Sequence, residues 1–383
     1  MSVSSVVRDK LCIGCEICSS ICPKNCISYE LKDKGIYEPV IDQELCVECG
    51  LCEKVCPGKN RNDGISASYD DNDAFLAYSM EKEICDNATS GGVVTSVIKK
   101  MLEGNTYDVA FAVEGNDVSQ KKEAVQLELN DIMASQKSRY ITVSHANTAK
   151  FMLENPEKKV IIVGTPCAVS GLINLIELKK LNRDNYLFIG LFCDGTMSYN
   201  VLEYFEHHPK LKGGLKSFNF RDKNAGGWPG NILAVTNDNT EVQLHKSERM
   251  MVKSYFKPER CLYCLDKLNR LADISVGDNY VEGRKRAQGG NTVIINTDLG
   301  RHIWFQVSDV IKAEACDIND VIASQKLELK LKNQRYFEKR EADIECAQLL
   351  AKVRLGEEKQ YKTIYNKTHN NLKYIIKKLL KKV

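Results

Sequence analysis

The chain has 383 residues, enough for two or three domains with a full core. Its 43% apolar and 27% charged residues are those of an ordinary globular protein, and a net charge of +3 is too small to point to nucleic acid. No run approaches the apolar length of a membrane span, and Met1-Ser2-Val3-Ser4-Ser5 lacks the basic-then-apolar start of an export signal. Cysteine is the outlier, with sixteen in all. They cluster at ligand spacing, so the expectation is a cytoplasmic, reducing location and metal binding rather than disulfides.

Cys12-x2-Cys15-x2-Cys18-x3-Cys22-Pro23 recurs as Cys46-x2-Cys49-x2-Cys52-x3-Cys56-Pro57, an internal repeat offset by 34 residues. Three closely spaced thiolates suit three corners of a cubane, and the fourth, held away beside proline, suits the other cluster. A zinc module wants four ligands in two pairs, which neither half offers. The pattern resembles the bacterial two-cluster ferredoxin, and residues 1–60 read as a two-[4Fe–4S] domain. That resemblance gives Cys12, Cys15, Cys18 and Cys56 to one cluster and Cys46, Cys49, Cys52 and Cys22 to the other. Between the halves, "CISYE" and "IYEPVI" predict a β-hairpin. Cys26 lies beyond the spacing and reads as a packed hairpin residue.

Residues 60–72 read as a linker. The pattern then turns α/β, making the whole chain α+β. Val109–Val113, Val160–Val163, Tyr186–Phe192 and Thr292–Ile295 are short apolar runs suited to buried strands. After "NATSGG", the apolar face of Val93, Val94, Val97, Ile98, Met101 and Leu102 predicts a helix ended by Gly104-Asn105, with Thr89 or Ser90 as its cap. Its start could favour an anion or be plain close packing. The chain has neither a G-x-G-x-x-G fingerprint nor a P-loop.

In "GTPCAVSGL", Thr165 is a good N-cap and Pro166 suits the first turn of a helix. Cys167 then falls in that turn, where the dipole favours thiolate. In "GLFCDG", Cys193 also follows a strand, with a helix capped by Ser198 behind it. Were the two strands parallel, both cysteines would leave the same carboxyl edge, where α/β sheets place ligands. Cys261-x2-Cys264 could complete a four-thiol site. On cysteine count alone, a third cluster and packed thiols stay open alternatives.

"TSGGVVTSVI", "GTPCAVSGL", "GLFCDG", "RCLYC" and "ADISVGD" resemble, in order, the motifs of the coenzyme F-420 hydrogenase/dehydrogenase beta-subunit family. That resemblance runs from about residue 74 to 310, within a body taken as residues 73–330. It implies an iron–sulfur flavoprotein, with Cys167, Cys193, Cys261 and Cys264 holding a third [4Fe–4S] cluster beside FAD. It also implies flavin contacts from Ser90, Gly91, Gly92 and Thr95, and from Lys137, Ser138, Arg139 and Tyr140. Thr165, Pro166, Asp278 and Asn279 join the same cofactor-facing set.

"FRDKNAGGWPG" suits a mobile substrate-facing loop or a plain surface turn. His207 and His208 have no metal spacing and read as surface residues. Cys85, Cys316 and Cys346 read as packed thiols. Residues 331–383 read as a basic helical tail whose apolar stripe can pack on a core or partner subunit, or lie on a membrane surface. The leading functional reading is an oxidoreductase joining one-electron clusters to a hydride-handling flavin, with coenzyme F-420 or an organic molecule as hydride partner. The alternative is a relay subunit, in an oligomer or beside a redox partner protein or ferredoxin, with no substrate of its own.

Overall fold

Short apolar runs separated by turn residues build a two-faced sheet here. The computed structural model describes residues 2–60, 69, 72–264 and 266–327. The expected tail at 331–383, Cys346 and most of the expected linker lie outside them. The hairpin forms as expected from β1 (Ile27–Leu31) and β2 (Tyr37–Ile41), with Ile27 opposite Ile41. The body then runs through β3 (Asp73–Ser79), β4 (Val109–Val113), β5 (Ala124–Gln126), β6 (Val160–Gly164) and β7 (Tyr186–Leu191). A small antiparallel sheet follows, made of β8 (Leu215–Asp222), β9 (Asn231–Thr236) and β10 (Glu241–Leu244). The chain returns to the large sheet with β11 (Ile274–Asp278), β12 (Asn291–Ile295) and β13 (Ile311–Cys316).

The large sheet has eight strands in the order β13-β3-β12-β11-β7-β6-β4-β5. Its centre, β4-β6-β7-β11, is parallel, and the flanking pairs are antiparallel. Strand β6 is buried throughout, as a strand covered on both faces must be. Successive side chains go to opposite faces. Ile161, Val163, Leu187 and Ile189 therefore join a core with Val93, Val97, Ile98 and Met101 of the helix Val93–Glu103. Val160, Ile162, Tyr186 and Phe188 join the opposite core, with Val169, Leu172 and Leu175 of the helix Pro166–Lys179.

That second core also contains Val3, Val6, Ile17 and Val55, so the cysteine-rich N-terminal segment is packed into the body. Polar contacts hold the same seam. Buried Glu16 pairs with Lys121 at 2.9 Å and accepts from Ser144 Oγ at 2.9 Å. The His145 N–H donates to the Cys15 carbonyl at 2.8 Å, and Asn174 Nδ2 donates to the Val55 carbonyl at 3.2 Å. Gly171 sits where the two parts touch. A Cβ there would lie 2.8 Å from Ile17 Cδ1 and 3.3 Å from Pro57 Cδ.

Several local expectations are corrected. The helix Val93–Glu103 is not capped by Thr89 or Ser90: Gly92 takes a left-handed conformation, and the Val93 N–H donates to Asn291 Oδ1 at 3.2 Å. Ser198 caps no helix; its N–H donates to the Phe256 carbonyl, and the helix Asn200–Glu206 starts after Tyr199. His208 is buried, not a surface residue, and its Nε2 lies 2.8 Å from Glu248 Oε2. Residues 220–230 are not a plain surface turn: Phe220, Arg221, Asp222 and Lys223 are buried in the small sheet and the turn after β8.

Gly171→Val should overpack the seam, because Pro57 cannot rotate out of the way. The expected loss is about 1–3 kcal/mol, read as a lower thermal midpoint under anaerobic conditions.

Candidate metal centres and a buried polar cluster

The eight N-terminal cysteines divide between two cavities. Cys12, Cys15, Cys18 and Cys56 line one; Cys22, Cys46, Cys49 and Cys52 line the other. Each takes three thiols from one half of the repeat and one from the other, the crossed pattern expected from the spacing. Among the described residues no three His, Cys, Asp or Glu side chains converge as a site for a single metal ion. Each thiol set surrounds a space instead.

The backbone is shaped toward the sulfurs. Gly14, in a left-handed conformation, donates its N–H to Cys12 Sγ at 3.4 Å, and Gly58 does the same for Cys56 Sγ at 3.4 Å. Tyr29 Oη lies 3.1 Å from Cys18 Sγ. Burial raises the Cys12 thiol to about 12, and raises Cys15, Cys18 and Cys56 as well, with neighbouring thiols adding to it. Thiols this buried ionise readily only against a cation, so the donor set fits a group that brings positive charge with it.

The second set differs in exposure. Cys49 is exposed, and Leu45 and Val47 beside it are 53% and 58% exposed. Cys26, read from sequence as a packed residue, lines this cavity too, with its Sγ 3.4 Å from that of Cys22. Burial acts upward on Cys22, but the N–H groups of Cys26, Lys24 and Asn25 and the Cys26 thiol hold it below the usual thiol range. Spacing alone does not reveal Cys26, because only the closed hairpin turns its sulfur inward.

Strands β6 and β7 are parallel, with Gly164 opposite Gly190, so Cys167 and Cys193 leave the same edge of the sheet. Thr165 and Pro166 open the helix Pro166–Lys179 as expected, although the Thr165 hydroxyl does not cap it; its Oγ1 lies 3.4 Å from Cys167 Sγ. Cys261 lies in the short 3-10 helix Glu259–Tyr263. Cys167 and Cys261 both feel the charges of Cys193 and Cys264. Burial, then the charges of Cys193 and Cys264, raise Cys167 to about 11 against the pull of Thr165 and Arg260. Burial, then Cys193, Cys167 and Cys264, raise Cys261 to about 12. Burial and crowding thus push Cys167 upward, where the helix start was expected to lower it.

Asn269, missed from the sequence, fixes this edge. It is fully buried, and its Nδ2 donates to the carbonyls of Gly164 at 2.9 Å and Leu191 at 3.2 Å, the ends of both strands. Gly190 makes room for it: a Cβ there would stand 2.5 Å from the amide carbon.

A polar cluster lies at the end of β8. Arg221 Nη1 donates to Asp278 Oδ2 at 2.5 Å and to Tyr140 Oη at 3.0 Å, and Tyr280 Oη donates to Asp278 at 3.0 Å. Lys137 Nζ pairs with Asp222 at 3.1 Å. Trp228 packs on Tyr280 with ring centroids 5.4 Å apart. The donors Arg221 Nη2 and Trp228 Nε1 are buried without a hydrogen-bond partner among the described residues. Other expected cofactor residues have partners within the protein. Arg139 donates to five backbone carbonyls, including Gly115 at 3.0 Å and Ser135 at 2.8 Å. Ser90 donates to the Gly290 carbonyl, Thr95 accepts from Gln136, Ser138 meets Thr89, and Asn279 donates to the Arg284 carbonyl. Gly91 packs tightly under Asn291 and the Ala77 carbonyl, and Gly92 under Ile84.

Asn269→Ala leaves the Gly164 and Leu191 carbonyls without this donor. The expected loss is about 1–3 kcal/mol in an unfolding titration, while Asn269→Asp, which keeps the shape but not the donor, should not recover it.

Residues 11–60 match the 4Fe-4S dicluster domain. Residues 74–150 and 157–321 match the N-terminal and C-terminal parts of the coenzyme F420 hydrogenase/dehydrogenase beta subunit. The coenzyme F420-dependent sulfite reductase of Methanocaldococcus jannaschii is 25% identical over 86% of this chain, which spans 50% of that protein. The coenzyme F420 hydrogenase subunit beta of Methanosarcina barkeri is 26% identical over 69% of this chain and 90% of its own length. A chain of the F420-reducing [NiFe] hydrogenase complex from Methanosarcina barkeri shares the fold, with a TM-score of 0.51 and 23% identity over 68% of this chain and 89% of its own. With both halves of the body matched in register behind a dicluster segment, this chain belongs to the coenzyme F420 hydrogenase/dehydrogenase beta-subunit family.

Proposed function

We propose that the chain is an iron–sulfur flavoprotein oxidoreductase that moves electrons between ferredoxin-type clusters and FAD, with coenzyme F420 or an organic molecule as the hydride partner. The observation that carries this reading is the order of the cysteine sets. The set with exposed Cys49 faces outward, the set with Cys56 packs against the body, and the third set stands at the sheet edge reached by Arg260 from Pro57. The Leu45–Val47 rim is the natural contact for a one-electron partner protein. Among the described residues no helix is long and apolar enough to cross a membrane.

In this reading Cys12, Cys15, Cys18 and Cys56 hold one cluster, Cys22, Cys46, Cys49 and Cys52 a second, and Cys167, Cys193, Cys261 and Cys264 a third. Bound flavin supplies the exchange between a hydride and single electrons. The polar cluster of Lys137, Tyr140, Arg221, Trp228 and Asp278 offers it charge, aromatic surface and free donors. Lys137 and Arg221 suit anionic oxygens, Arg221 through a second guanidinium nitrogen still free to donate. Ser90, Gly91, Gly92, Thr95, Ser138, Arg139 and Asn279 then act by shaping the walls, since their polar groups or close packing already serve the protein.

A relay subunit is the second reading. It is favoured by the match over nine-tenths of a protein named as a hydrogenase subunit. In that case electrons leave to a partner protein and no small molecule turns over on the isolated chain.

Anaerobically purified protein should contain about twelve irons per chain and one flavin. About eight irons removes the third cluster, and a colourless fold that takes up no added FAD removes the flavin. Reduction assays with reduced coenzyme F420, NADH, NADPH and ferredoxin separate the enzyme from the relay. Cys167→Ser should lose about four irons and slow flavin reduction by the N-terminal clusters steeply, while Cys316→Ser should lose none. Full iron and unchanged reduction in Cys167→Ser would leave that cysteine as packing only.

A further inference from the structure

Arg260 stands where the N-terminal segment meets the third cysteine set. It lies in the turn Glu259–Tyr263, next to Cys261, and is only 7% exposed. Its Nη2 donates to the carbonyl of Pro57, the residue after Cys56, at 3.0 Å. Nε and Nη1 are closed off from solvent and have no hydrogen-bond partner among the described residues. A guanidinium stays charged in proteins, and its planar fork presents those donors in fixed directions. Burying them unpaired is strongly unfavourable unless an anion receives them.

The nearby groups that become anions on binding a metal centre are cysteine sulfurs. Arg260 directly precedes Cys261 of the third set and holds the carbonyl of Pro57, which follows Cys56 of the first. Pro57 lines the first cavity beside Cys56, so the guanidinium reaches its wall. Each electron added to a four-thiolate iron–sulfur centre adds negative charge, and a nearby buried cation or N–H donor favours that reduced state.

We infer that Arg260 is a shared sulfur-facing cation, donating from Nε and Nη1 toward the centre held through Cys56 and the centre held through Cys167, and raising the reduction potentials of both. The inference rests on the third cluster proposed above. It makes Arg260 a positioning and tuning residue, one that acts through the metal centres. A purely structural Arg260, holding only the Pro57 carbonyl, would leave the potentials alone.

The test is an EPR-monitored redox titration of the full chain, wild type against Arg260→Gln, with iron measured in both. The expected result is unchanged iron, two centres displaced to more negative midpoints, and the centre of Cys22, Cys46, Cys49 and Cys52 unmoved. Three unmoved midpoints, or all three displaced alike, overturn the inference. If Arg260→Gln does not hold its iron, Arg260→Lys takes its place, and the same two-of-three pattern at smaller size is required. Pulsed EPR of reduced wild-type protein carrying isotope-labelled arginine should show an arginine nitrogen coupled to the reduced centres; its absence overturns the inference without any variant. The two readings fail separately. About eight irons in the wild type removes the third cluster itself, whereas about twelve with unmoved potentials removes only the role of Arg260.

Discussion

The contact between the helix Pro166–Lys179 and the N-terminal segment is the constraint on which the remaining structure depends. The helix buries Val169, Leu172 and Leu175 under the sheet and, through the bare backbone at Gly171, meets Ile17 and Pro57 of the cysteine-rich repeat. Its first turn carries Cys167. One helix thus fixes the third cysteine set relative to the set that includes Cys56. Apolar burial of this kind has no direction of its own. Direction comes from the polar pins around it: Glu16 with Lys121, Asn174 with Val55, and Arg260 with Pro57.

Inside that frame the electrostatics of the thiols have a single theme. Burial and like neighbours hold Cys12, Cys167 and Cys261 far toward the protonated form. Metal binding must therefore displace protons, and the cation supplied must exceed what a helix start offers. N–H donors from Gly14 and Gly58, and the charge of Arg260, lower part of that cost from the protein side. The exposed second set is arranged differently. Cys22 is held low by three backbone N–H groups and by the Cys26 thiol, in keeping with a centre nearer to solvent.

Much of this was legible in the residues themselves. The repeat spacing dictated which N-terminal thiols share a cavity, because a three-residue stride keeps three sulfurs together and sends the fourth across. The apolar runs marked β4, β6, β7 and β12, and Pro166 placed the start of its helix. What escaped depends on pairs far apart in sequence. Asn291 replaces Thr89 or Ser90 at a helix start about two hundred residues away. Asn269 joins two strand ends, and His208 is buried only because Glu248 meets it. Nothing local to "RCLYC" shows that Arg260 holds the Pro57 carbonyl.

The central proposal is that three cysteine sets in one packed unit hold three iron–sulfur centres. EPR of the fully reduced chain tests it most directly, by spin integration and by the splitting that neighbouring paramagnets impose on one another. The account predicts about three spins per chain in a broadened, mutually coupled spectrum that simplifies when Cys193 is replaced by serine. A spectrum of about two spins, identical in the wild type and in Cys193→Ser, would contradict it.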